Sequence, residues 1–228
     1  MKILITSGGT SEPIDQVRAI TNQSTGRLGR QIAQTFLEAG FAVTLITTPN
    51  AMKPQAHPKL QQILIKTTSD LESALQEQVP NHHVLIHSMA VSDYRPLQMV
   101  PLEKLQEVPT YQVFLEPEQK GGKHSSTAKH QVIFLEKTPK LIQKIKDWNP
   151  AIRLIGFKLL VSVSSEELIS IAQASLKKNR ADLIVANDLS QIDQEQHPAF
   201  LVGPEQIDQA HTKQEIAHKL LDFVRKES

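Results

Sequence analysis

The sequence predicts an α/β protein with a Rossmann-like, doubly wound, mostly parallel sheet and a flap or arm excursion in mid-chain. Three observations predict it. Short apolar, β-branched runs alternate with stretches of helical period, the pattern of a parallel sheet covered by helices on both faces. The first run, Lys2-Ile3-Leu4-Ile5-Thr6, passes at once through Ser7-Gly8-Gly9-Thr10 towards a helix start at Asn22-Gln23-Ser24-Thr25-Gly26-Arg27-Leu28-Gly29. From 93 to 130 the alternation lapses into polar, poorly periodic text holding Pro96, Pro101, Pro109, Pro117 and the Gly121-Gly122 pair.

The elements follow in order. Residues 2–6 read as a buried strand, 42–47 as the second and 62–66 as the third. Ser69-Asp70-Leu71-Glu72 has capping-box spacing and predicts a helix start there. Residues 84–89 are the fourth strand. Thr138 as N-cap with Pro139 at the first helical position predicts the next helix, with Leu141, Ile142, Ile145 and Trp148 inward. Strands at 152–157 and 183–186 flank a helix whose inner face is Leu168, Ile171, Ala172, Ser175 and Leu176. Thr212-Lys213-Gln214-Glu215 is a second capping box, opening a last helix with Ile216, Leu220, Leu221 and Val224 inward.

Length and composition narrow the function. A chain of 228 residues is read as one domain, 1–228, with the excursion as part of it. The 25 Lys+Arg against 24 Asp+Glu leave a net charge of +1, which is no footprint for nucleic acid. Aromatic residues are too few for a base-stacking platform. No apolar stretch is long enough to span a bilayer, and a strand opening at Lys2 leaves no room for a signal peptide. A cytoplasmic protein is the expectation. Without cysteine there is no disulfide, thiolate nucleophile or cysteine zinc site.

The glycine-containing first loop carries the strongest chemical signal. A strand running through glycines into a helix N-terminus suits an anion: glycine lets the backbone approach, and the free amides and dipole of the helix favour negative charge. Gly8, Gly9, Ser24 and Gly26 are the candidates for it, with Asn22 offering an amide donor. Five further runs are candidates, four of them near strand ends or helix ends and one in the excursion. His87-Ser88-Met89 and Asp93 follow the fourth strand, where ligands of open α/β sheets bind; Asp93 could hold Mg²⁺ beside a triphosphate or form an Asx turn. Lys123 follows a glycine hinge and could fold over an anion or be solvated. Lysines at 137 and 140 oppose the dipole of the helix they precede, which an anion would relieve. Phe157 and Lys178 could meet a base and a phosphate, or cap the core and face water. There is no G-x-S-x-G elbow and no histidine cluster. The lack of G-x-G-x-x-G, and of an acid ending the second strand (Thr47 and Thr48 stand there), argues against the rival NAD(P) or flavin oxidoreductase. A non-catalytic nucleotide-binding regulator would keep the first loop and need no flap lysine.

Together these runs resemble the phosphopantothenate–cysteine ligase family, the ligase half of the DNA/pantothenate metabolism flavoproteins, in a stand-alone bacterial form. The carrying text spreads from residue 6 to 188. It comprises Thr6-Ser7-Gly8-Gly9-Thr10-Ser11-Glu12-Pro13-Ile14-Asp15, the run from Asn22 to Gly29, Ala90-Val91-Ser92-Asp93-Tyr94-Arg95, Lys123-His124-Ser125-Ser126, Gly156-Phe157-Lys158 and Ala186-Asn187-Asp188. The resemblance implies a step of coenzyme A biosynthesis. The carboxylate of 4′-phosphopantothenate attacks the α-phosphate of CTP with Mg²⁺ assisting, pyrophosphate leaves, and the amine of L-cysteine attacks the acyl-cytidylate. It implies Asn22 and Lys123 as the catalytic residues and Asp93 as the acid beside the nucleotide. His87, Ser88, Met89, Pro139, Lys140, Leu141, Ile142, Phe157 and Lys178 match further nucleotide contacts. Lys104 rivals Lys123 as the flap lysine. The Lys-x-Ser-Ser text is also similar to eukaryotic enzymes, some of which use ATP, so either nucleotide is open. A homodimer, no flavin, and a separate phosphopantothenoylcysteine decarboxylase in the same pathway complete the expectation.

Overall fold

The computed structural model describes residues 1–116 and 128–226. Elements run β1 (Lys2–Ser7), β2 (Ser11–Pro13), β3 (Ala19–Thr21), α1 (Arg27–Glu38), β4 (Ala42–Thr47), β5 (Leu60–Leu64), α2 (Thr68–Gln78), β6 (Val84–His87), β7 (Tyr94–Pro101), α3 (Leu102–Gln106), β8 (Gln131–Lys137), α4 (Leu141–Trp148), β9 (Arg153–Leu160), α5 (Ser165–Asn179), β10 (Leu183–Asp188), β11 (Ala199–Val202), β12 (Ile207–Ala210) and α6 (Lys213–Lys226). The main sheet has the order β12-β11-β10-β9-β6-β1-β4-β5. All pairs from β10 to β5 are parallel, and only the β10-β11-β12 edge is antiparallel. Taken alone, the parallel strands give the 3-2-1-4-5-6 order of a doubly wound sheet. Chain direction across the sheet reverses between β1 and β6, which opens a crevice at their carboxyl ends.

The strands alternate their side chains between two apolar layers. Ile3 and Ile5 of β1 face α1 and α6, packing with Ile32, Phe36, Ile216 and Leu220. Leu4 faces the other way, with Leu71, Leu75, Leu141 and Ile145 of α2 and α4. A third cluster sets Leu168, Ala172 and Leu176 of α5 on Ile184 and Val202. Ile3, Leu4 and Ile5 are all fully buried, so β1 reads as a continuous apolar run rather than an alternating one. No described helix is long and apolar enough to cross a membrane.

Several boundaries differ from the sequence expectation, each through a partner distant in the chain. The third strand is Leu60–Leu64, two residues early; β5 is an edge strand and Leu64 is exposed. The second helix is capped by Thr67, not Ser69. Thr67 Oγ1 accepts from the Asp70 amide at 3.1 Å, and the Asp70 carboxylate accepts from the amides of Thr67 and Lys66 at 2.9 and 3.0 Å. The buried Glu12 carboxylate takes the next helix amide, Thr68, at 2.7 Å. Glu72, freed from the box, pairs with Lys144 of α4 at 2.5 Å. Thr138 is no helix cap: its hydroxyl donates to the Ser92 carbonyl, and α4 starts at Leu141 with Lys140 at the N-cap. The last helix starts as expected, although Glu215 accepts from the His211 amide rather than from Thr212.

The excursion leaves the sheet at Asp93, but its stem is a two-stranded antiparallel ribbon of β7 and β8, pairing Tyr94 with Lys137 at one end and Pro101 with Gln131 at the other. Prolines hid β7 from a period-2 reading. A two-stranded ribbon has only edge strands, where a missing proline N–H is tolerated. The long first loop likewise contains a small hairpin, β2 with β3.

Candidate functional site

A cavity of about 850 Å³ opens at the β1/β6 reversal. That is the size and place expected of a ligand site in an open α/β sheet. Its floor is built by extending the ladder past the strand ends. The Ala90 amide donates to the Gly8 carbonyl at 2.9 Å, and the Thr10 amide to the Ala90 carbonyl at 3.0 Å. Thr10 and Ser92 exchange two further bonds, at 2.8 and 2.9 Å. The two loops are thereby locked side by side as one rigid surface.

Residues from both loops line the cavity: Gly8, Ser24 and Gly26 from the first, His87, Ser88, Met89 and Asp93 from the second. Pro139, Lys140, Leu141 and Ile142 come from the start of α4, Phe157 from β9 and Lys178 from α5. Gly9 and Asn22 stand behind this lining. Gly9 bridges to Ala90. The Asn22 side-chain amide donates to the Ala90 carbonyl at 3.2 Å and reaches Ser92 Oγ at 3.5 Å. Lys123 lies outside the described residues. Lys104 sits exposed on α3, beyond the far end of β7, and is not in the lining.

The N-terminus of α1 opens on the cavity. Its N-cap, Gly26, is left-handed at φ 74°, with no side-chain cap and no acid in the first turn. A Cβ at Gly26 would come within 2.9 Å of Ala51 Cβ, so only glycine holds this turn. The Arg27 amide makes only a long bond to Thr25 Oγ1, at 3.4 Å, and the uncapped N-terminus and helix dipole give the wall a partial positive charge. Arg27, Lys140, Lys158, Lys178 and Lys213 add five cations, against the carboxylates of Asp93 and Asp193. Asp93 and Lys140 form an ion pair across the mouth, both well exposed. Such a pair contributes about 0–1 kcal/mol, so a phosphate or a metal ion can displace it at small cost. His87 is buried and hydrogen-bonded through Nδ1 to Thr6 Oγ1 at 2.8 Å; burial lowers its pKa to about 4, so it is neutral at pH 7. The cavity favours an anionic ligand with an apolar portion against Met89, Leu141 and Phe157.

The family profile of the DNA/pantothenate metabolism flavoprotein C-terminal domain matches residues 1–114 and 107–227. The chain belongs to this family. A Coenzyme A biosynthesis bifunctional protein CoaBC from Thermococcus kodakarensis is 31% identical over 229 residues, covering 99% of this chain and 51% of that protein. The chain thus spans about half the length of the curated relatives it matches. Among solved structures, the DNA/pantothenate metabolism flavoprotein from Streptococcus pneumoniae is 53% identical over the whole of both chains, with a TM-score of 0.96. The C-terminal domain of a CoaBC protein is 25% identical, with a TM-score of 0.72 over 98% of this chain and 93% of that one.

The family likeness explains why the runs quoted from the sequence converge, and the structure adds lining residues that sequence reading passed over. Arg27 and Lys213 are the first residues of α1 and α6. Arg27 stood inside the run read as an anion loop without being singled out, and Lys213 inside a capping box read only as a helix start. His197 lies between β10 and β11, in a stretch with no motif at all. Asn187 was within a quoted run; its side chain donates to the Pro198 carbonyl at 3.0 Å and holds that stretch against the cavity.

Proposed function

We propose that the chain joins 4′-phosphopantothenate to L-cysteine, using CTP and passing through an acyl-cytidylate. The carrying observation is the cation-lined cavity with an uncapped helix N-terminus at the sheet reversal, in a chain of this family. A carboxylate is a poor electrophile. Its attack on the α-phosphate of CTP expels pyrophosphate and leaves a mixed anhydride. The cysteine amine then attacks the acyl carbon, CMP leaves, and an amide forms with loss of one amine proton. Neither step needs a protein nucleophile. Both need phosphate charge neutralised and the reactants aligned. In this reading Lys140, Lys178 and the α1 amides neutralise phosphate charge, the apolar wall at Phe157 seats the base, and Lys123 closes over the phosphates.

No group of three or more His, Asp or Glu side chains that could cage a metal is found among the described residues. Magnesium is commonly held by one or two carboxylates plus substrate phosphates. In this reading Asp93 would hold magnesium, which would screen the triphosphate. The reading includes a homodimer. Exposed Tyr94 and Leu135 on the ribbon, with Tyr111 and Val113 beyond it, support pairing through that arm.

Mixing the chain with CTP, Mg²⁺ and 4′-phosphopantothenate should release pyrophosphate, and the amide should appear only when cysteine is added. A parallel run with ATP decides the nucleotide. Absence of pyrophosphate with every nucleoside triphosphate would overturn the ligase reading.

Asn22→Asp is expected to impair the second half-reaction most. The carboxylate would face the Ala90 carbonyl that the amide now holds, replacing a donor by a charge next to the phosphates. The bond lost is to a neutral carbonyl, about 0.5–1.5 kcal/mol, and the carboxylate leaves that carbonyl facing a like partial charge. Acyl-cytidylate should accumulate in quench experiments with cysteine present. Conversion of the intermediate at the parent rate would reduce Asn22 to a loop support.

A further inference from the structure

The Asn22 side chain has a fixed polarity. A carbonyl oxygen only accepts hydrogen bonds, so the Asn22 atom 3.2 Å from the Ala90 carbonyl is the amide nitrogen. Its second N–H points to Ser92 Oγ at 3.5 Å. Both amide hydrogens are thus turned onto residues 90 and 92. The remaining atom, Oδ1, makes no hydrogen bond among the described residues and is open to solvent. The chain neighbours of Asn22, Gln23 and Ser24, line the cavity.

Behind that amide lies a series of buried hydroxyls. Thr10 is fully buried and Ser92 is 6% exposed. Thr10 Oγ1 accepts from the Ser92 amide at 2.8 Å and donates to Ser92 Oγ at 2.9 Å. The Thr138 hydroxyl holds the Ser92 carbonyl from the other side. Beyond Thr10, Thr68 gives its hydroxyl hydrogen to the buried Glu12 carboxylate at 2.7 Å, and so has none for Thr10, 3.4 Å away. Ser92 Oγ is thereby held as the acceptor for Thr10, with a lone pair left towards Asn22. An apolar pair of the same shape would hold the two loops together about as well, because a buried hydrogen bond adds little net stability over packed apolar groups. What the hydroxyls add is direction.

We propose that Thr10 and Ser92 are positioning residues: they turn the Asn22 amide so that its oxygen faces the substrates, where it accepts a hydrogen from the amine of cysteine. This rests on the ligase reading. At the reacting centre the acyl-cytidylate carries only acceptors, its phosphoryl and acyl oxygens, and these repel an amide oxygen. The attacking amine is the reactant with hydrogens to give. Its lone pair forms the N–C bond, the bond from the acyl carbon to the phosphate oxygen breaks, and CMP leaves with that electron pair. The amide oxygen is too weak a base to take the surplus amine proton, which passes to water. It holds the N–H and so aims the lone pair at the acyl carbon.

The test measures the two half-reactions separately in the full chain: pyrophosphate release from CTP with 4′-phosphopantothenate, and the cysteine dependence of the conversion of acyl-cytidylate to amide. Thr10→Val and Ser92→Ala should each lower kcat/KM for cysteine about 3- to 10-fold, the range of one neutral hydrogen bond, and leave pyrophosphate release within about twofold. Thr10→Ser keeps the hydroxyl and should retain the parent value. In an Asn22→Ala background neither change should lower kcat/KM for cysteine further, because the amide they orient is gone. A general loosening of the loops would instead slow both half-reactions and add to the loss from Asn22→Ala. Should Thr10→Val fail to fold, Ser92→Ala, which keeps the Ser92 amide bond to Thr10, decides alone. Parent-like cysteine kinetics, equal losses in both half-reactions, or losses additive with Asn22→Ala would overturn the assignment and leave the ligase reading standing. If the parent itself forms no acyl-cytidylate, the ligase reading fails and takes the assignment with it.

Discussion

Lys123→Gln is expected to lower pyrophosphate release from CTP by about 10²–10³-fold and to leave thermal unfolding unchanged. The magnitude is that of removing one preorganised stabiliser of developing charge. The resemblance, through the Lys-x-Ser-Ser text after the glycine pair, favours this lysine over Lys104. β7 departs from the cavity mouth immediately after Asp93 and runs eight residues, roughly 25 Å at strand rise, before α3 begins at Leu102. Lys104 therefore lies beyond the tip, exposed, on the outgoing path. β8 begins at Gln131, beside Pro101 at that same far end, so the ribbon does not separate the two lysines and the paired variants do. Lys104→Gln should change the rate less than about twofold. Equal losses at both positions, or a loss at Lys104 alone, would reverse the assignment. The assay is a coupled pyrophosphate readout with all substrates saturating, since only a loss in kcat reports a stabiliser acting in the transition state.

Gly29→Ala is expected to destabilise the protein by about 1–3 kcal/mol despite favouring the helix. Alanine in place of glycine gains about 1 kcal/mol of helix propensity. Packing outweighs that gain. A Cβ at Gly29 would sit 2.2 Å from Ser7 Oγ and 2.5 Å from Ser7 Cβ, with Ser88 Oγ at 3.1 Å. Ser7 ends β1 and is 1% exposed, so it cannot swing into solvent. The helix must back away from the sheet, at a cost typical of overpacking. For a chain of this size that lowers the melting temperature by roughly 2–4 °C per kcal/mol. The same displacement moves the open amides of α1, so nucleotide affinity should fall as well. Ser7→Gly in the Gly29→Ala background should recover much of the stability, and the double-mutant cycle measures the clash directly. An unchanged or raised melting temperature for Gly29→Ala would mean that α1 shifts freely, and the close approach would then have no functional weight.

The sequence alone was enough for the parallel sheet and for most of the site. The apolar run Ile3-Leu4-Ile5 is buried on both faces, as its composition predicts, whereas the edge-strand run Ile63-Leu64-Ile65 leaves Leu64 exposed. The residues after β1 and β6, and those at the start of α4, sit at carboxyl ends of parallel strands or beside them. Once the alternation of strand and helix is read, their convergence follows from topology. Side-chain choices between equivalent local options needed the tertiary structure. Thr67 and Ser69 both satisfy the capping spacing, and Glu12, 56 residues before Thr68, favours the first. Thr138 has the composition of a helix cap, but the Ser92 carbonyl, 46 residues away, takes its hydroxyl. In the ribbon, β7 buries Pro96 and the adjacent Met99 and Val100, so no period of two marks it. Arg27, His197 and Lys213 share a wall only because α1, α6 and the β10–β11 connection are packed together. No spacing within one element records that meeting, since it exists between elements and not along any of them.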